Sequence, residues 1–151
     1  IYGSTIDTEE SIKYFEFLKD YAEKNLSGFV TFYGFQNSKD KIYIDADIVI
    51  NYSTIPESFS LIVLEAMAYG SIVISADEGG PKEIIKNDIN GFLVPMHNAK
   101  KLSEKIKMCL EDESKSRLEN IKIEARKTVA QNFTEEKLIN NYNSLLQKMV
   151  C

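Results

Sequence analysis

The sequence is poor in the residues that most often announce chemistry. It holds one histidine and two cysteines in 151 residues. His97 stands alone in a "VPMHNAK" loop; a lone loop histidine is usually a surface residue, and it is assigned no role. Cys109 falls inside a helical pattern and Cys151 is the last residue. No CxxC pair or metal-like spacing occurs, which argues against a disulfide framework and for reduced thiols in a cytoplasmic protein. Positive charge is also in deficit, with 18 Lys and Arg against 23 Asp and Glu and a net charge of -5. A protein that grips nucleic-acid backbones usually shows a basic face, so no nucleic-acid partner is expected. No apolar run reaches the ~20 residues of a membrane span. The opening residues lack a basic region followed by an apolar one. Neither GxGxxG nor GxxxxGK[ST] occurs, so dinucleotide and P-loop readings have no support. Internal repeats and low-complexity tracts are missing too.

What is present is an ordinary globular composition, 44% apolar and 27% charged, in a chain long enough for one domain with a core. Periodicity predicts a helix from Thr8 to Leu26, with Ile12, Phe15, Leu18, Ala22 and Leu26 on one face. Thr8 and Ser11 offer capping hydroxyls, and Gly28 follows as a stop signal. "FVTFYG" (29–34) reads as a strand and 38–46 as a short helix. "DIVINYS" (47–53) and "SIVISA" (71–76) are near-continuous apolar runs, as in strands buried on both faces. Between them Ser58 to Tyr69 reads as a helix closed by Gly70, with Ser58 and Ser60 able to cap. Gly79-Gly80 makes a turn and Pro81 opens a short helix to about Lys86. "NGFLVP" (90–95) gives a last short strand. Helices follow over about 99–111, 114–131 and 134–149, the last with Glu135 and Glu136 in its first turn.

Short apolar strands alternating with helices predict an α/β fold: a Rossmann-like parallel sheet with helices on both faces and a helical C-terminal tail. In such folds ligands bind outside the carboxyl ends of the strands. The loops to watch are therefore Gly34-Phe35, Ser53 to Ser60, and Ala76 to Pro81.

The stretch "PESFSLIVLEAMAYG" (56–70) carries two glutamates into an apolar helix pattern. Carboxylates are costly to bury without partners. Glu57 sits at the helix start, where acidic residues often complement the dipole and where free N–H groups bind anions. Glu65 lies eight positions on, about 12 Å of helical rise and ~80° from eclipsed. An extended ligand touches both where a small one cannot. A half-buried salt bridge explains Glu65 equally well. Gly79-Gly80 reads either as turn geometry or as close backbone approach to a ligand.

In order, "FVTFYGF", "DADIVINYSTIPESFSLIVLEAMAYGSIVISADEGGPKEII" and "NGFLVP" closely resemble the carboxyl-terminal domain of the retaining group 1 glycosyltransferases. The resemblance runs from about Phe29 to Pro95. The family pattern is close to "PE-x-F-G-x-x-x-x-EAMAxG", met here by Pro56-Glu57-Ser58-Phe59-Ser60 and by Glu65-Ala66-Met67-Ala68-Tyr69-Gly70. The resemblance implies two Rossmann-like domains facing a cleft, with this one binding a nucleotide sugar. It implies that Glu65 accepts hydrogen bonds from the ribose and that Glu57 is the catalytic-site acid holding the transferred sugar. Backbone N–H groups from Ser58, Phe59, Ser60 and Leu61 would face the sugar and distal phosphate, and Gly34 and Phe35 the base. It implies retention of anomeric configuration, no metal and no cofactor, the nucleotide sugar being a substrate.

Ser60 departs from the family glycine; a Cβ there is expected either to crowd the sugar or to demand a different backbone, which leaves the identity of the sugar open. Residues 1–151 are expected to be a carboxyl-terminal nucleotide-sugar-binding domain, one piece of a longer enzyme. Its first strand–helix unit, with the basic grip on the diphosphate, and its N-terminal acceptor domain would precede Ile1. The whole enzyme is expected to build a bacterial-type glycan in the cytoplasm, at the inner membrane face through the absent domain. The piece alone is expected to be inactive and to dimerise through an uncovered sheet edge at "IYG". Three other readings stand beside this one: a sugar-nucleotide epimerase of related architecture, a non-catalytic nucleotide-sugar-binding module, and an α/β domain with no ligand.

Overall fold

The computed structural model describes residues 1–5, 7–111 and 115–150. Cys151, and Ser114 at the predicted start of the second tail helix, lie outside them. The chain divides into two compact units, Ile1–Ile44 and Asp45–Cys151.

In the first unit α1 spans Glu9–Asn25. Thr8 caps it from extended backbone, its hydroxyl accepting the Ser11 N–H at 3.2 Å. Ala22 is buried, and the Phe15 ring meets Phe32 edge-on at 5.5 Å, whereas Ile12 stays exposed. The strand expected over 29–34 reduces to one parallel bridge, Tyr2 to Gly34. Tyr33 N–H donates to Ile1 O at 2.8 Å and Gly3 N–H to Gly34 O at 2.9 Å. The Ile1 amino group also donates to Thr31 O at 2.7 Å. Helix α2, Lys39–Tyr43, is shorter than expected, and Ser38 before it caps it by accepting from Lys41 N–H.

The second unit is built in the order β1 (Ile48–Asn51), α3 (Leu61–Tyr69), β2 (Ile72–Ala76), α4 (Pro81–Ile84), β3 (Phe92–Val94), α5 (Ala99–Glu111), α6 (Lys115–Asn132) and α7 (Glu135–Val150). The three strands are parallel in the spatial order β1-β2-β3. Side chains alternate across a strand. One side therefore gathers Ile72, Ile74, Phe92 and Val94 with Cys109 and Ile121, and Leu102 and Ile106 of α5 pack against them. On the other side α3 covers β1 and β2, burying Val63, Ala66 and Met67. Helices thus flank a parallel sheet, as an α/β sequence demands. Strand β1 departs from expectation, being half-buried rather than enclosed. It is the end member of the three strands, so one of its edges has no ladder partner in this sheet.

Buried Asn90 ties the turn before β3 to the tail. Its amide donates to Ile84 O and Thr128 Oγ1 and accepts from Lys86 N–H. Thr134 caps α7 by accepting from Lys137 N–H at 3.2 Å. Among the described residues no helix is long and apolar enough to cross a membrane.

Candidate functional site

The two strand-end loops of the second unit carry the candidate residues. Helix α3 begins at Leu61 rather than Ser58, because Ser60 holds a left-handed conformation at φ +55° and ψ +73°. L-residues reach that region at a cost and not inside a helix. Glu57 therefore sits in a loop, and the helical spacing expected between it and Glu65 does not apply. Neither Ser58 nor Ser60 caps the helix with its side chain.

Ser60 is instead buried, and its Oγ accepts from Asn51 Nδ2 at 2.6 Å. The same Nδ2 donates to Glu57 Oε2 at 3.0 Å. An ionised carboxylate only accepts, so the amide must present its NH₂ group here. Asn51 closes β1, and its carbonyl accepts from the hydroxyl of Ser75, its register partner on β2, at 2.9 Å. The loop after β1 is thus fastened to the sheet through one asparagine. The Ser60 side chain turns into this network, and its backbone is left-handed.

The glycine pair after β2 serves the same loop. Gly80 N–H donates to Glu57 O at 2.7 Å. A Cβ on Gly79, whose φ is +63°, would fall 2.3 Å from Glu57 O, and one on Gly80 would fall 2.6 Å from Phe59 Cα. The close backbone approach at Gly79-Gly80 is therefore to the chain's own Glu57–Phe59 segment. A small cavity opens where the strands end, lined by Asn51, Glu57, Ser75, Ala76 and Pro81 among others.

Helix α3 explains how a core helix carries Glu65. Val63, Leu64, Ala66 and Met67 are buried, while Leu61, Ile62, Ala68 and Tyr69 are exposed and Glu65 is half-buried. Positions 61, 62, 65, 68 and 69 share one stripe of a 3.6-residue helix. Glu65 is on the open stripe and not in the core. Glu57 is likewise half-buried, and Ser58 and Phe59 are exposed. The Phe59 ring lies 6.3 Å from that of Phe133, just past the end of α6. At the far end of α3, Arg126 Nη2 donates to Tyr69 O at 3.3 Å, setting a cation on the negative end of the helix dipole. Gly34, at φ +67°, and Phe35, exposed, belong to the first unit.

Asn51 is the residue that reading the sequence misses. Its signal is slight: one amide closing an apolar strand and six positions before an acid. The other candidates of the second unit, Glu57, Ser58, Phe59, Ser60, Leu61 and Glu65, fall in one loop and the two helical turns that follow it.

A parallel sheet whose strand ends lead through such loops into helix starts is Rossmann-like architecture. The chain belongs to the glycosyl transferases group 1 family, whose sequence model matches residues 1–128. It is 30% identical over 116 residues to the N-acetyl-alpha-D-glucosaminyl L-malate synthase of Bacillus anthracis, covering 77% of this chain and 30% of that protein. The crystal structure of Anabaena Alr3699/HepE in complex with UDP-glucose matches with a TM-score of 0.85 at 26% identity, over 97% of this chain and 40% of that one. The C-terminal domain of a glycosyl transferase group 1 family protein (LpcC) from Francisella tularensis matches with a TM-score of 0.74 at 27% identity, over 85% and 66%. The chain spans about a third, or less, of the length of the curated relatives it matches.

Proposed function

We propose that this chain is the nucleotide-sugar-binding domain of a retaining glycosyltransferase. The observation that carries the reading is the start of α3: no side chain caps it, Glu57 precedes it, and Glu65 stands on its open stripe. The first turn of a helix has N–H groups with no partner inside the helix and the positive end of the dipole. A diphosphate suits that place. Glu65 accepts hydrogen bonds from ribose hydroxyls on one side of it, and Glu57 holds the sugar on the other. As the bond from the sugar to the diphosphate breaks, negative charge grows on the departing phosphate. Donors already aimed at that position lower the barrier most. The Anabaena complex with UDP-glucose is a precedent for a ligand of this chemistry on this fold.

The base is read by a melting panel of UDP-, GDP- and ADP-sugars, since a ligand that binds only the folded state raises Tm. The roles are tested in the intact enzyme by calorimetry with the nucleoside diphosphate and by initial rates with the intact donor. Glu65→Gln weakens nucleotide binding about tenfold or more, because hydrogen bonds to a charged acceptor contribute ~1.5–3 kcal/mol. Glu57→Gln spares the free nucleotide and slows transfer. If both variants lose only stability and keep their affinity per folded molecule, the reading is wrong.

A further inference from the structure

We propose that Asn51 is a positioning residue that aims Glu57 at the donor sugar, an inference that rests on the reading of Glu57 just given. The amide of Asn51 is the one side-chain group, among the described residues, that hydrogen-bonds the Glu57 carboxylate. It engages Oε2 and leaves Oε1 to accept a ligand hydroxyl. The same Nδ2 takes Ser60 Oγ at 2.6 Å. An NH₂ group has two hydrogens, and here both are committed to the ends of a four-residue loop.

The arrangement fixes Glu57 at two levels. Its backbone is held by Gly80 N–H at 2.7 Å, and its carboxylate by Asn51. Asn51 is itself anchored, as the last residue of β1 with its carbonyl held by Ser75 Oγ at 2.9 Å. The acid is thereby referenced to the sheet. Loss of the amide frees the Glu57 side chain to rotate and releases the buried Ser60 hydroxyl, while the Gly80 contact still holds the loop. A carboxylate that must meet a sugar hydroxyl within hydrogen-bonding distance is sensitive to such freedom, because catalytic contacts depend strongly on placement. The nucleotide is assigned to Glu65 and the start of α3, and the loop backbone stays held by Gly80 N–H, so nucleoside diphosphate affinity is expected to change little.

The test uses the intact enzyme with Asn51→Ala and the isosteric Asn51→Asp, each also placed on a Glu57→Gln background. The ligands are UDP and UDP-glucose, or the GDP or ADP pair if the melting panel selects it. The expected result is a nucleoside diphosphate affinity within about twofold of wild type and a transfer rate lower by about tenfold. On the Glu57→Gln background the same change costs about twofold or less, in transfer rate and in the affinity gained from the attached sugar, because the two residues act as a unit. Equal loss on both backgrounds, or an unchanged rate per folded molecule, overturns the proposal and leaves the role of Glu57 standing. Wild-type transfer by Glu57→Gln alone overturns both.

Discussion

Two strands of this molecule carry the same tripeptide and meet different fates. Ile48-Val49-Ile50 of β1 and Ile72-Val73-Ile74 of β2 lie side by side in parallel register. Every residue of β2 is buried. In β1 the second isoleucine, Ile50, is 45% exposed, whereas its partner Ile74 is fully enclosed. The chemistry of the side chains is identical, so the difference comes from the place of each strand in the sheet and from what covers it. Strand β2 has a ladder on each edge and helices over each face, while β1 ends the series. The next residue repeats the lesson with polar groups. Asn51 and Ser75 are register partners at the strand ends. Buried Ser75 props the backbone of Asn51, and half-buried Asn51 reaches out to Glu57 and Ser60. The enclosed strand is the support and its neighbour is the working edge.

The largest test of that comparison is a matched pair of truncations. Ile74→Ala is expected to cost about 2–5 kcal/mol, the usual range for emptying an enclosed site. Ile50→Ala is expected to cost about 1 kcal/mol, in keeping with its partial burial. Denaturant unfolding of both variants measures the gap, and equal costs would break the contrast between the strands. A smaller effect is expected at Gly80→Ala. Its φ is ordinary, so the penalty is steric: the new Cβ meets the Phe59 backbone at 2.6 Å. About 1–3 kcal/mol is expected for such overpacking, together with a displaced Glu57 loop. Unchanged stability and unchanged donor binding would show that the two strand-end loops are not coupled. The smallest effect belongs to Ser75→Ala, which removes the hydroxyl holding Asn51 O. About 1 kcal/mol is expected, with a loss of transfer rate smaller than that of Asn51→Ala. A larger rate loss at Ser75 than at Asn51 would invert the assignment of support and working edge.

The alternation of helices and short apolar strands was legible because each of those elements announces itself locally. Gly70 after "AMAY", Pro81 at a helix start and Thr8 before Glu9-Glu10 are punctuation that acts within a few residues. All three appear where expected. The candidate loop was legible as a spacing of acids in the "PESFS…EAMAYG" run, which is a property of order along the chain. The strand over 29–34 was not, since its pairing is with a distant segment, Ile1–Gly3, and comes to a single bridge. The start of α3 was misplaced by three residues for a similar reason. "ESFS" has helix-compatible residues, yet Ser60 is held left-handed within contacts from Asn51, nine positions away.

The role of Gly79-Gly80 shows the same division. Two glycines in sequence promise a close approach, and local chemistry says no more. Only the folded chain reveals that the neighbour is the backbone of Glu57 and Phe59, some twenty residues earlier. By itself the sequence determined the order and kind of most elements, the parallel α/β class, and the family to which the two glutamates belong. These follow from periodicity, turn chemistry and motif spacing, all of which act over short separations along the chain. Tertiary structure alone decided which of two identical tripeptides is enclosed, that Glu65 lies on an open helix stripe, and that one asparagine ties Glu57 and Ser60 to the sheet. Those outcomes depend on which surfaces meet, and hydrogen bonds and burial are set by distance in space rather than by distance in sequence.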